Sequence, residues 1–279
     1  MHKFPILNGK IIDLSKPLIM GILNITPDSF YDGGKYLSEI AIKKRIDQIF
    51  DEGADIIDVG SYSTRPGANF VDEKEELSRT LFAIELIRKY YPKAIISIDT
   101  FRSKVAKEVN DCLGPIIIND ISGGTLDDNM YDYLALSSLP YIMMHIKGEP
   151  HSMQNNPHYD NVCLEVKQFF TKRIKILKDK GFDNLIIDLG FGFGKTLENN
   201  YDLMNKMDEF EEFGFPILTG ISRKSMIFKL LGGTPKDSLN GTTVLNTIAL
   251  LKGTSILRVH DVKEAVETVK IFNALKKKV

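Results

Sequence analysis

A chain of 279 residues is long enough to bury a full hydrophobic core without disulfide or metal staples. Its 36 Lys+Arg nearly cancel its 37 Asp+Glu, which removes the electrostatic case for nucleic acid, and no apolar run approaches the roughly 18 residues of a membrane span. Cys112 and Cys163 make neither a disulfide framework nor a CxxC zinc pair, and the opening MHKFPILNGK lacks the apolar centre of a secretion signal, so a reduced, cytoplasmic protein is expected.

Residues 1–17 predict a short N-terminal β-hairpin, because apolar residues 4–7 and 11–14 flank Asn8-Gly9. Its expected role is to plug one end of the larger fold. From residue 18 a unit recurs: a short apolar run, a polar loop, then a helix. An apolar run bounded by turn residues and too short for a helix indicates a buried strand. Strands are expected at 18–23, 55–59, 94–98, 115–118, 140–144, 185–187, 216–219 and 255–257. Helices are expected near 37–52, 72–90, 102–113, beyond 127, at 159–180, 198–213, from 225 to 251 with a break at Gly232-Gly233, and at 261–275. No linker, low-complexity tract or charge block divides the chain, so one domain, 1–279, is expected. Strands alternating with helices pair in parallel through crossovers. Eight such repeats in this length favour a closed (β/α)8 TIM barrel, an α/β fold, over an open sheet.

Polar residues gather where the strands stop. Asn24, Asp99, Asn119, His145, Asp188 and Arg258 stand at strand C-termini, the face on which barrel enzymes carry their active sites. The densest stretch is 185–196, LIIDLGFGFGKT. Leu189 stands where a Walker A loop needs glycine, and Gly190, Gly192 and Gly194 are spaced two apart, which excludes the GxGxxG fingerprint as well. Taken alone, Asp188 fits a ligand contact and a cap for the next helix equally well, and His145 fits a ligand contact and a residue satisfied by its neighbours.

Arg65, Lys195, Arg223, Lys224 and Arg258, with His260, form a cationic set, and Ser222-Arg223-Lys224-Ser225 opens a helix whose free N–H groups favour anions. Asp99, Asn119 and Asp188 offer acceptors to a ligand edged with N–H donors. One half of the mouth suits an amino-heterocycle and the other phosphate. A strand-end lysine invites a Schiff-base reading, but an aldolase needs no bed of guanidinium groups. No HExxH zinc motif is present, while Mg2+ remains open because it needs few protein ligands.

Residues 20–34, MGILNITPDSFYDGG, resemble the opening signature of the dihydropteroate synthases, a family of pterin-binding enzymes. So do residues 63–68 (STRPGA), Ile98-Asp99-Thr100, Ile118-Asn119-Asp120, Met144-His145, residues 188–195, residues 220–225 (GISRKS) and Arg258-Val259-His260, all in family order. The resemblance runs from about residue 18 to the end. It implies a (β/α)8 transferase of folate biosynthesis that joins (7,8-dihydropterin-6-yl)methyl diphosphate to 4-aminobenzoate. By position it implies a pterin site of Asp99, Asn119, Met143, Asp188, Phe193, Gly220, Lys224 and Arg258. Asn24, Thr64, Arg65, Arg258 and His260 would take the diphosphate. Phe30, Thr64, Arg65, Pro66, Lys224 and Ser225 would form the aminobenzoate pocket, where sulfonamides would compete. Mg2+ would sit on Asn24, with Asp32 a secondary candidate. Lys224, Asp188, Asn24, Arg258 and His260 would be the catalytic set, and a homodimer through the late helices is implied.

Two positions depart from the family pattern: Leu189 replaces the usual proline after the carboxylate, and Tyr62 stands where an acidic or small polar residue is common. The rival readings are a pterin-binding methyltransferase barrel and a non-catalytic pterin binder. The first has no use for the SRK helix start and RVH triplet. The second has no use for Asn24, Lys224 and Arg258 together.

Overall fold

The computed structural model describes residues 5–25, 34–62, 71–148, 153 and 157–276. The hairpin is β1 (Ile6–Leu7) against β2 (Lys10–Ile11), antiparallel. Its turn residues Asn8 and Gly9 have φ of 51° and 70°, the left-handed pair that a two-residue hairpin turn requires. Eight parallel strands follow: β3 (Leu18–Asn24), β4 (Ile56–Gly60), β5 (Ile95–Asp99), β6 (Ile117–Asp120), β7 (Tyr141–Met144), β8 (Leu185–Asp188), β9 (Ile217–Thr219) and β10 (Thr254–Val259). They close into a barrel, with β10 pairing both β3 and β9. The (β/α)8 expectation holds.

Helices clothe the barrel: α1 (Gly34–Asp51), α2 (Glu73–Tyr90), α3 (Ser103–Leu113), α4 (Met130–Ser137), α5 (Val162–Asp179), α6 (Leu197–Asn205), α7 (Ser225–Leu231), α8 (Leu239–Leu251) and α9 (Val262–Lys276). The helix expected over 198–213 is shorter than its pattern suggested, since α6 gives way to a 3-10 segment at Met207–Phe213. Among the described residues no helix is long and apolar enough to cross a membrane.

Strand alternation divides the barrel interior into a dry floor and a polar rim. Met20, Ile56, Ile117, Ile142, Ile186, Leu218 and Ile256 point inward and pack together, and Ile12 from the hairpin segment closes this layer from below. The hairpin is therefore the plug that was expected. Asn184, just before β8, fixes it there by accepting from the Ile6 N–H at 2.9 Å and donating to the Ile6 carbonyl at 2.7 Å. Two residues further along a strand the side chain returns to the same face. That step converts the floor positions on β4, β6, β8, β9 and β10 into Asp58, Asn119, Asp188, Gly220 and Arg258. The intervening residues, among them Leu23, Val59, Ile98, Ile118, Ile187 and Leu257, belong to the layer between strands and helices.

Candidate active site

The centre of the rim is one guanidinium between two acids. Arg258 Nε donates to Asp58 Oδ2 at 2.7 Å, and its Nη2 donates to Asp99 Oδ2 at 2.8 Å. Asn119 Nδ2 donates to the same Asp58 oxygen at 3.1 Å. Asp58 is fully buried, and its Oδ1 has no hydrogen-bond partner among the described residues. Burial works to lower Arg258, but the two carboxylates outweigh it and hold the guanidinium above its ordinary range. Burial also raises Asp99 to about 7, with Arg258 pulling the other way and Asp58 adding to the rise.

Asp188 ends β8 next to this array. Its Oδ1 accepts from the Gly190 N–H at 2.8 Å. Gly220, at the end of β9, leaves open the space between Arg258 and Asp188: a Cβ there would stand 3.8 Å from Arg258 Cδ and 3.9 Å from Asp188 Oδ2. Burial raises the Asp188 carboxyl, while Lys224 and the Gly190 N–H oppose that rise. Lys224 caps α7 and donates from Nζ to the Phe191 carbonyl, with the ammonium 4.4 Å from the centre of the Phe193 ring. Burial brings it down to about 8.

The glycines between Asp188 and Lys195 serve the backbone, not a nucleotide. Gly190 has φ 69°, and a Cβ on it would lie 1.9 Å from the His145 carbonyl oxygen, so no side chain fits. On the other side, His260 Nδ1 lies 3.1 Å from Ser222 Oγ, and its backbone carbonyl accepts from Arg45 at 2.8 Å. Asn24 is exposed at the end of β3, where Gly60 keeps its amide clear: a Cβ at Gly60 would stand 3.3 Å from Asn24 Oδ1 and 3.8 Å from Asp99 Cβ.

A family model described as "Pterin binding enzyme" matches residues 20–260. A dihydropteroate synthase of Escherichia coli (strain K12) is 42% identical over 268 residues, covering 95% of this chain and 94% of that one. The chain belongs to the dihydropteroate synthase family. Among solved structures, a Yersinia pestis dihydropteroate synthase with a sulfonamide drug complex superposes with a TM-score of 0.90 at 37% identity, covering 100% of both chains. A Xanthomonas albilineans dihydropteroate synthase with 4-aminobenzoic acid superposes with a TM-score of 0.89 at 35% identity, covering 99% of this chain and 100% of that one.

Several expected positions of this dihydropteroate synthase family member need correction. Met143 was expected to line a pterin face, but it packs outward between β7 and the helices, fully buried in the main core. Ile142 points inward, so the next inward side chain is Met144, which clusters with Phe193 and Ile121. Lys195 was counted among the cations of the mouth, yet it is buried and donates to the Gly190 carbonyl at 2.8 Å. Arg223 is occupied by Asp261, to which its Nε donates at 2.9 Å. His145 is satisfied by its neighbours: its Nδ1 faces Lys195 Nζ at 3.0 Å, and burial holds its pKa well below the usual range.

The two departures from the family pattern are both absorbed. Leu189 is buried in the main core, and Asp188 still meets Gly190. The Tyr62 ring stacks edge-on against Phe101 at 5.6 Å, under the Arg102 guanidinium at 5.7 Å. Arg102 also donates to the Val71 carbonyl at 3.0 Å and pairs with buried Glu76. One side chain therefore fastens residues 62 and 71 together. Phe30, Asp32, Thr64, Arg65 and Pro66 lie outside the described residues, while Ser225 opens α7 beside Lys224.

Sequence reasoning missed Asp58 and Asp261. The available signal for Asp58 was an acid inside the apolar run IIDVG, a position that is costly unless a buried partner waits.

Proposed function

We propose that this chain is the folate-biosynthesis transferase that joins (7,8-dihydropterin-6-yl)methyl diphosphate to 4-aminobenzoate, releasing 7,8-dihydropteroate and diphosphate. The observation that carries it is the rim, where Asp58, Asp99, Asn119 and Asp188 stand against Arg258 and Lys224 in one linked array. Asp188 keeps lone pairs beyond the one given to Gly190 and accepts from the N3–H and 2-amino group of the pterin. Protonated Lys224 donates to the O4/N5 side. Phe193 and Met144 line the ring, and Arg258 stacks on it and meets the phosphates with His260 and Asn24. The aminobenzoate pocket, which sulfonamides enter, is assigned to Phe30, Thr64, Arg65, Pro66, Lys224 and Ser225.

The C–O bond to diphosphate breaks with its electron pair leaving on oxygen, where Arg258 and His260 stabilise the developing charge. The methylene cation is delocalised into the pterin. The arylamine nitrogen then forms the new C–N bond and gives its proton to solvent, so no strong protein base is needed.

Among the described residues no group of three or more His, Cys, Asp or Glu gathers to hold a metal. The fit is with an ion that needs few protein oxygens: the Asn24 amide, exposed at the rim, suits Mg2+, which takes its remaining ligands from substrate phosphate and water. When bound, Mg2+ neutralises charge on the leaving diphosphate. Asp32 is the secondary candidate ligand.

A diphosphate-release assay with each substrate alone, both together, and both with chelator tests this reading. Release is expected only with both substrates and Mg2+. A rate indifferent to 4-aminobenzoate would sink the reading.

The pH profile offers a second check. Lys224 donates only while protonated, and burial brings it to about 8. The alkaline limb of kcat/KM, which reports the free enzyme, is therefore expected near pH 8. Lys224→Arg should move that limb upward, because a guanidinium keeps its proton throughout this range.

The reading includes a homodimer in the cytoplasm, consistent with the two free thiols Cys112 and Cys163. Its support is the apolar surface of the late helices: Leu230 and Leu231 on α7, Val244 and Leu251 on α8, and Ile271 and Leu275 on α9 are all exposed. Leu251→Asp is expected to halve the mass measured by light scattering at micromolar concentration. An unchanged mass for both proteins would count against this interface.

A further inference from the structure

Lys195 sits in the middle of the rim's most distinctive loop, where burial brings its ammonium down to about 7 against the pull of Asp188, and nothing in the proposed chemistry uses it. An ammonium has three protons to give. Here they face the Gly190 carbonyl at 2.8 Å, His145 Nδ1 at 3.0 Å and the Phe193 carbonyl at 3.1 Å, with the side chain buried. The His145 carbonyl lies further off, at 3.5 Å. No proton is left over for a phosphate.

We infer that Lys195 is a positioning residue: its ammonium holds the 189–194 turn in the shape that aims Asp188, Lys224 and the Phe193 ring at the pterin. This role rests on the proposed pterin site.

Three links carry it. Gly190, whose carbonyl Lys195 holds, gives its N–H to Asp188 Oδ1 at 2.8 Å. Phe191, between the two held carbonyls, offers its own carbonyl to Lys224 Nζ. Phe193, the second held residue, places its ring 4.4 Å from the same ammonium.

No regular secondary structure defines the turn. Gly190, Gly192 and Gly194 all take positive φ, so no helix or strand ladder runs through them. Other ties include the Phe193 N–H to the Gly190 carbonyl at 3.1 Å, the Gly192 N–H to Asn200 Oδ1 at 2.7 Å, and the Tyr159 hydroxyl to the Gly194 carbonyl at 2.8 Å. None of these draws the Gly190 and Phe193 carbonyls to a common point. The Gly190 carbonyl also accepts from the Phe193 N–H, but the half-buried Phe193 carbonyl needs a donor of its own, and Lys195 supplies it while drawing in the Gly190 carbonyl from the same atom. For His145 Nδ1 to accept, its ring proton must sit on Nε2.

The test uses Lys195→Met and the milder His145→Leu, which removes one of the three acceptors and leaves the ammonium in place. The dihydropterin diphosphate substrate is titrated calorimetrically into each folded variant, and the alkaline limb of kcat/KM is recorded beside it. Lys195→Met should weaken pterin binding by on the order of 10–100-fold, because the Phe193 carbonyl loses its donor and the Gly190 carbonyl is left with the Phe193 N–H alone. His145→Leu should weaken it by a smaller factor. In His145→Leu, which keeps Lys195, the Lys224 limb should move to higher pH because a loosened turn returns Lys224 to water; in Lys195→Met the loss of a neighbouring positive charge adds to the same shift.

Pterin affinity equal to wild type in the folded variants would overturn the inference. So would weaker affinity with the limb unmoved, which is what a general loss of stability would give. Should Lys195→Met fail to fold, the His145→Leu limb decides alone. If wild type itself does not bind the pterin, the reading of the site fails and not the role of the lysine.

Discussion

Asp188→Asn is expected to weaken binding of the dihydropterin substrate by about 100-fold while leaving the barrel at least as stable as wild type. The carboxylate has two acceptor oxygens, and one already takes the Gly190 N–H at 2.8 Å. An amide has only one oxygen. If that oxygen keeps Gly190, the NH2 group faces the donor edge of the pterin, and if it turns to the pterin, the NH2 group faces Gly190. Either way a buried donor meets a donor, which costs about 1–3 kcal/mol, and a charge-assisted bond is lost as well.

Stability should move the other way. Burial raises the Asp188 pKa in the folded state. A folded pKa above the unfolded one means that the fold binds the extra proton, so stability falls as pH rises from about 4 through the raised value. The neutral amide carries no such penalty, and the gap between variant and wild type should widen with pH over that window. Calorimetric titration alongside thermal unfolding at two pH values measures both effects. Wild-type affinity in the variant would remove Asp188 from the pterin site.

Most of the fold was legible because each repeat announces itself. The runs before Asn24, Asp99, Asn119 and Asp188 are too short for helices and stop on polar residues, which is where a barrel strand meets its mouth. Parity was not legible. In Tyr141–Met144 every residue is apolar, so nothing in the pattern says which members face inward, and a one-residue shift moves a side chain to the other face. The family resemblance named Met143, and nothing in the pattern of the strand showed that Met144 stands inward in its place. Asp58 was lost in the same way: within Ile56–Gly60 it is one acid among apolar neighbours, and only its inward register puts it under Arg258.

Charge was legible but direction was not. Lys195 and Arg223 look like phosphate ligands until the fold brings His145 and Asp261 to them from distant parts of the chain. A sequence shows that a cation is present. Whether its protons are already taken is a property of the assembled rim.

Arg258→Met carries the larger stability effect, an expected loss of about 3–5 kcal/mol, because it strips the counter-charge from a buried ion pair. Asp58 is fully buried with Arg258 as its charged partner at 2.7 Å, and Asp99 shares the same guanidinium at 2.8 Å. Removing the cation leaves two carboxylates close together in a poorly hydrated place.

Asp99 already titrates at about 7 with Arg258 present, since burial raises it more than the guanidinium lowers it. Without Arg258 that value should climb further. An acid raised in the folded state destabilises the fold as pH rises from about 4 to its folded pKa, and above that the penalty stays at its maximum. The deficit of Arg258→Met should therefore be greatest at pH 8 and shrink toward pH 5 as the carboxyls take up protons. Denaturant unfolding of variant and wild type at both pH values measures this. An equal deficit at pH 5 and pH 8 would mean that lost packing, not uncompensated charge, is responsible.

The double variant Asp58→Asn with Arg258→Met separates structure from chemistry. It removes one of the stranded carboxylates, so much of the stability should return. Diphosphate release should not, because an amide and a thioether supply no cation for the leaving group. Recovery of both together would show that Arg258 serves the fold alone and that the phosphate is met by other groups on the rim.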